Sequence, residues 1–342
     1  MGEAIPVSGR QRAVLIIGLA VLLAYPLVMP LLGKPFLVGL GTRMVIYALA
    51  AVSLDLLVGF GGLVSFGHAA FLGLGGYVVG VLAFQLGADA PLFGLIDGTN
   101  QAWIAWPAAV LVTALAALVI GALSLRTDGV HFIMITLAFA QMLYFLTVSL
   151  KVYGGDDGLS LRRRNLLPGL DPRDEATFYY VCLACLVVFV ALARRILAAR
   201  FGTVLRGIKE NQRRVSALGI EPYGYKLAAF VLAGAGAGLA GALLANQTRF
   251  VSPELLHWTK SGELLVMVIL GGIGTLYGPI LGAVALILLE TVLGAWTEHW
   301  MVILGPILVV VVLFTRRGLY GLLTEKRSGI AARGADDGGG HD

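Results

Sequence analysis

Residues Leu264 to Leu289 read LLVMVILGGIGTLYGPILGAVALILL, a run without a single charge. As one straight helix it would be ~39 Å long, against a bilayer hydrocarbon core of ~30 Å. Gly271, Gly272, Gly274, Gly278 and Pro279 sit in its middle and disfavour a continuous helix. The run therefore predicts two short segments, Leu264 to Gly272 and Pro279 to Trp296, joined by a loop at membrane depth. Such a loop must be buried in protein or line a cavity, because lipid satisfies no backbone group.

The composition around this run is of the same kind. The chain has 342 residues, 58% hydrophobic and 13% charged, with a mean hydropathy of +0.88. An average soluble chain carries roughly 25% charge. At ~20 apolar residues per span, the hydrophobic residues fill roughly ten spans and leave no room for a large extramembrane catalytic domain. Further candidate spans are Ala13 to Leu32, Arg43 to Val58, Leu63 to Leu86, Trp103 to Leu125, Val130 to Leu150, Phe178 to Arg194, Lys226 to Gln247 and Met301 to Phe314. The expected fold is all-α: a polytopic integral membrane protein of about ten transmembrane helices with broken Gly-rich segments. Residues 1–327 read as a single transmembrane domain, and the polar, Gly-rich residues 328–342 as a disordered tail.

Charge sets the expected orientation. The net charge is +5, but the basic residues gather at the ends of apolar runs, which makes them topology markers and not a nucleic-acid surface. The loop at about 196–225 holds Arg200, Arg206, Lys209, Arg213 and Arg214 against Glu210 and Glu221, and should be cytoplasmic. Arg10 and Arg12, and the tail with Arg316, Arg317, Lys326 and Arg327, place both termini on that side as well. The loop from Lys151 to Ala176 then falls outside with Lys151, Arg162, Arg163, Arg164 and Arg173, a local violation matched in number by Asp156, Asp157, Asp171, Asp174 and Glu175. The N-terminal run reaches Leu32 without an Ala-x-Ala cleavage site and reads as an uncleaved first span.

Enzymatic signatures are missing: there is no Gly-x4-Gly-Lys-Ser/Thr loop, no His-Glu-x2-His helix and no Gly-x-Ser-x-Gly elbow. The expected role is not enzymatic, with no cofactor and no metal held by this chain. Cys182 and Cys185 lie in an apolar run and read as small hydrophobes. Gly236-Ala-Gly-Leu-Ala-Gly241 spells a dinucleotide pattern but sits in an apolar helix, where small residues serve close packing. Polar residues at membrane depth are the sharper signal, since a centred charge costs ~2.5–3.5 kcal/mol on insertion scales. Candidates for the translocation pathway are Ser65, His68, Gln141, Gly271, Gly272, Gly274 and Glu290, with Asp55 nearer the interface. Ser65 and His68, three apart, would share a helical face. From Phe201 to Gly219 the apolar residues Leu205, Ile208, Val215 and Leu218 recur at helical spacing, interleaved with basic ones. This is an amphipathic cytoplasmic helix expected to meet either anionic lipid or a soluble partner.

Several stretches resemble permease subunits of branched-chain amino-acid ABC importers, the LivM type. They are Gly61-Gly-Leu-Val-Ser-Phe-Gly-His-Ala-Ala-Phe, Thr136-Leu-Ala-Phe-Ala-Gln141, the run at Gly154 to Leu159, Phe201-Gly-Thr-Val-Leu-Arg to Ala217-Leu-Gly219, and Ser261-Gly-Glu to Gly278-Pro279. Gly154 to Leu159 reads Gly-Gly-Asp-Asp-Gly-Leu where relatives often carry Thr-Gly-Gly-x-Asp-Gly. The resemblance implies a pore formed with a second permease, two cytoplasmic ATP-binding subunits that use the ATP, a periplasmic amino-acid-binding protein and location in the bacterial inner membrane. It also implies that the Phe201 to Gly219 helix couples to the ATPase through Leu205, Arg206, Ile208, Glu210, Ala217, Leu218 and Gly219. A urea or short-amide permease of the same superfamily, and an ATP-independent secondary transporter, are the alternatives.

Overall fold

The computed structural model describes residues 9–34, 36–88, 98–169, 174–297, 299, 302–306, 309 and 318–324. The helices are α1 (Gly9–Leu31), α2 (Phe36–Asp55), α3 (His68–Ala88), α4 (Ala102–Ser124), α5 (Val130–Ser149), α6 (Glu175–Ala198), α7 (Arg200–Ala217), α8 (Pro222–Thr248), α9 (Trp258–Gly271) and α10 (Gly278–Trp296). A short helix, Gly318–Thr324, packs beside the α9–α10 junction. Among the described residues seven helices are long and apolar enough to cross a membrane, and α1 carries a shorter apolar stretch, Ile16–Leu31. With α9 added, the fold is an all-α polytopic membrane protein. The expected last span, Met301 to Phe314, lies mostly outside the described residues, of which 302–306 are helical.

The helix α2 is the centre of the bundle, with Ala48, Leu49, Ala50, Ala51, Val52 and Leu54 wholly buried against α6, α8, α9 and α10. Small residues let backbones approach, which is how helices associate where lipid offers no hydrophobic driving force. The same device joins α3, α4 and α8. A side chain at Gly75 would strike the Gly238 carbonyl, and one at Gly241 the Leu72 carbonyl, as the packing reading of Gly236 to Gly241 requires.

The uncharged run breaks as expected. Helix α9 ends at Gly271, residues 272–277 turn, and α10 starts at Gly278 with Pro279 in its first turn. Two expectations need correction. The span expected from Leu63 begins only at His68: Gly62 has φ +69°, and residues 62–67 are not helical, so the chain passes from α2 to α3 in an irregular link. Ser65 lies in that link and shares no helical face with His68. Secondly, α2 does not end at Val58 but continues as a π-helix over Leu56–Phe60, a rare form that concentrates at functional sites.

At the end of the bundle away from α7, β1 (Leu159–Ser160) pairs antiparallel with β2 (Phe250–Val251), with Leu159 opposite Val251. A polar network ties this loop down. Arg164 donates to Glu175 at 2.6 Å and to the Asn246 carbonyl at 3.2 Å, and Asn246 bonds Asn165 twice at 2.7 Å.

Candidate functional site

The two Gly-rich segments meet at the α7 end of the bundle. Asp55, fully buried on the last turn of α2, accepts from the Gly274 N–H at 2.7 Å and the Leu276 N–H at 3.3 Å. Gly272 and Gly274 have φ of +120° and +75°, and Leu276 takes φ +60° without being glycine. A non-glycine residue there persists only when its surroundings enforce it, and Asp55 supplies that enforcement. Gly59, one π turn on, touches Gly274. A methyl at Gly59 would lie 2.5 Å from the Gly274 nitrogen and 2.6 Å from its Cα. Lys209 of α7 completes the junction: its Nζ donates to the Gly59 carbonyl at 2.6 Å, and its stem covers Gly62. One connected set of bonds therefore joins α7, the π-helix and the 272–277 turn.

Of the candidate pathway glycines, Gly271 and Gly272 are buried in backbone packing. A side chain at Gly271 would strike the Gly278 carbonyl, and residue 272 is met by Gly318. Gly274 is partly exposed. Ser65 is buried, and its Oγ accepts from the Gly67 N–H at 3.1 Å. His68 is also buried, with Nε2 2.9 Å from the Ser53 Oγ. The Ser53 Oγ also reaches the Ala50 carbonyl, at 2.7 Å. His68 thus ties the start of α3 to α2, while Ser65 shapes the link just before it.

The start of α9 lies beside the start of α3. Ser261 of α9 accepts from the Ala69 N–H at 2.9 Å, closing an unpaired donor of the first turn of α3 across 192 residues of sequence. Gln141 of α5 points its Nε2 into a spot without a hydrogen-bond partner among the described residues. It lies three residues before Tyr144, whose ring meets His257 just ahead of α9.

Glu290 belongs to a charged cluster that the sequence did not assemble. Arg43 of α2 approaches Glu290 of α10 at 3.9 Å and stands over the Tyr47 ring, while Lys260 and Glu263 of α9 pair at 2.9 Å. Arg43 is seven residues into α2 and Glu290 six from the end of α10, so the cluster lies ~10 Å inside the helix ends. Its side chains stay partly exposed, 45% for Arg43 and 37% for Glu263. Facing lipid at that depth, charges cost kcal/mol each. Spacing did not reveal the cluster because its members come from three helices.

Helix α7 departs from expectation in its apolar face. Leu205, Ile208 and Val215 are buried, the first in a cluster with Val52, Leu56, Phe60, Leu197 and Leu276. Arg206 folds back onto the Gly202 and Leu197 carbonyls. The helix lies along its own spans, so that face meets neither lipid nor partner. Leu218 is the exception at 78% exposed. Asn211 breaks the helix with φ −157°, and beyond it Arg213, Arg214, Ser216, Ala217, Leu218 and Gly219 stand exposed, with Glu210 just before. A groove lined by Phe201, Gly219, Ile220, Glu221 and Tyr225 opens beside this end.

The family model described as branched-chain amino acid transport system / permease component matches residues 36–312. The high-affinity branched-chain amino acid transport system permease protein LivM of Salmonella typhimurium is 29% identical over 314 residues, 83% of this chain and 71% of that protein. The Escherichia coli LivM is 28% identical over the same shares. LivH of Escherichia coli is 24% identical, over 80% of this chain and 91% of its own. No solved structure matches. The match takes in α2 to α10, and with them the broken α9–α10 run, the capped start of α3 and the kinked α7: this chain belongs to the permease-component family of branched-chain amino acid transport systems.

Proposed function

We propose that this chain is the permease subunit of an ATP-driven importer and forms the membrane pathway for branched-chain amino acids. The observation that carries the reading is the bonded junction of α7 with the membrane-embedded turn: Lys209 to Gly59, Asp55 to Gly274 and Leu276. A transporter driven from outside the membrane needs a rigid lever of this kind. A stand-alone carrier has no use for one. The kinked outer part of α7, with Glu210, Ala217, Leu218 and Gly219, and the adjoining groove are the docking surface for the ATP-binding subunit, while Leu205 and Ile208 anchor the lever to the spans. The chain binds no cofactor and hydrolyses nothing; two ATP-binding subunits use the ATP.

A second permease completes the pore, and a periplasmic binding protein delivers the solute to the β1–β2 end. The protein resides in the inner membrane with both termini cytoplasmic. Residues 1–327 make up the permease domain, with 196–225 as its coupling loop. The pathway follows α9, with Gln141, Gly274 and Glu290 facing it, and Ser65 and His68 holding the half-helix start of α3 in place. The family match and the LivM relatives favour amino acids over urea or short amides.

The test is reconstitution of the complete complex in proteoliposomes with its binding protein. ATP-dependent uptake of leucine, isoleucine or valine, absent without ATP, is the expected result. Uptake without the ATP-binding subunits, or uptake of urea in place of amino acids, overturns it.

A further inference from the structure

Resting on the amino-acid permease reading, we infer that Arg43 and Glu290 form a polar subsite in the pathway that receives a zwitterion, with Arg43 taking the α-carboxylate and Glu290 the α-ammonium. Lys260 and Glu263 close a tight pair at 2.9 Å to both oxygens and balance each other. Arg43 and Glu290 stand 3.9 Å apart, beyond the 2.7–2.9 Å of a charge-assisted hydrogen bond. They are near enough to neutralise each other and too far apart to satisfy each other's donors and acceptors. Among the described residues Arg43 otherwise meets only the face of Tyr47, at 5.6 Å. A guanidinium fork grips a carboxylate with two parallel bonds, and a carboxylate accepts from an ammonium, so a zwitterion inserted between the two satisfies both groups and leaves the net charge unchanged.

Two further observations point to an occupant on this face. The charges are partly exposed at membrane depth, where lipid would penalise them, and a face that lines a wet pathway accommodates them. Gly262, between Ser261 and Glu263, has nothing among the described residues within 4 Å of where a Cβ would stand, and its φ is not left-handed. The missing side chain leaves open room for an occupant beside Glu263.

The experiment uses the complete importer in proteoliposomes with leucine-loaded binding protein in excess. It compares wild type with Arg43→Gln, Glu290→Gln, the double variant, and the conservative Arg43→Lys and Glu290→Asp. Readouts are co-purification of all subunits, leucine uptake and ATP consumed per leucine delivered. The expected result is full assembly, uptake lowered about tenfold or more in each Gln variant, a matching rise in ATP per leucine, and a double variant no better than either single. Partial retention of uptake by the conservative variants agrees with the assignment. Uptake within about twofold of wild type in the Gln variants overturns it. So does recovery in the double variant, which marks a purely structural ion pair. Loss of assembly in both the Gln and the conservative variants also overturns it, and marks an interface between permeases. Wild-type complex that takes up none of leucine, isoleucine and valine refutes the amino-acid reading itself and is thereby distinguished from failure of the subsite.

Discussion

Gly59→Ala tests the junction through which we propose that coupling runs. The added methyl would meet the Asp55 carboxylate and lie 2.5 Å from the Gly274 nitrogen, and neither backbone can yield freely. Gly59 is held from one side by Lys209 and Gly274 from the other by Asp55. Overpacking of this kind costs ~1–3 kcal/mol. Displacing Gly274 also weakens its bond to Asp55, worth ~1.5–3 kcal/mol with a charged acceptor. Alanine regains up to ~1 kcal/mol of helical preference over glycine. The net expectation is a loss of about 2–4 kcal/mol, a large share of the ~5–15 kcal/mol that holds a typical protein folded.

The thermal midpoint of the detergent-solubilised complex reads the stability, and ATP consumed per leucine delivered reads the coupling. Both should worsen. Gly18→Ala is the control, because Gly18 is an exposed helical residue with nothing within 4 Å of its added methyl. It should be neutral or slightly stabilising. A Gly59→Ala complex that melts and transports like wild type would refute the reasoning, since the junction would then be slack.

Lys209→Met keeps the stem over Gly62 and removes the Gly59 bond; stability should fall by only ~1 kcal/mol at this partly exposed site while ATP per leucine rises, measured in the same proteoliposomes. Leu205→Asp buries a charge in a filled cluster and should destabilise by ~4 kcal/mol or more, seen as loss of folded permease. Leu218→Asp should leave the permease folded and cut co-purification of the ATP-binding subunit, because Leu218 is exposed. Asp174 caps α6, accepting from the Thr177 hydroxyl at 2.7 Å and N–H at 2.9 Å, and these bonds hold its carboxyl below the usual carboxylate range. Its folded pKa is depressed, so its contribution is present at neutral pH and is lost as pH falls through that lowered value. Asp174→Ala should cost about 1 kcal/mol at pH 7, with the difference from wild type vanishing in acid, as followed by thermal melts across pH.

The spans were legible because lipid leaves only one way to satisfy a backbone, so apolar length alone marks a helix. The break at Gly271 to Pro279 was legible for a related reason: glycine and proline weaken a helix wherever they cluster. The link at 62–67 was harder. Leu63, Val64 and Phe66 carry on the apolar character of the flanking spans and no charge marks the break, although residues 62–67 are not helical. The amphipathic pattern of α7 was read correctly as a pattern and wrongly as to its neighbour. Periodicity identifies an apolar face but says nothing of whether the cover is lipid, a partner or, as here, the spans of the same chain. Lys209 and Arg43 were illegible because each acts across more than a hundred residues of sequence.

The Ser-Gly-Glu triplet at 261–263 shows how a short motif compresses several such distant demands. Ser261 faces inward and closes an open N–H of α3, so replacing it by alanine strands a donor where no water enters. Gly262, 100° further round the helix, faces open space and keeps the surface of α9 thin. Glu263, a further 100° on, holds Lys260 and fixes the charge balance beside Arg43 and Glu290. Three successive residues on a helix cannot share a face, so each of the three identities answers to a different neighbour. The triplet therefore sits where a packed core, open space and a charged cluster meet on one half-helix, and the identity of none of the three is set by helix formation alone.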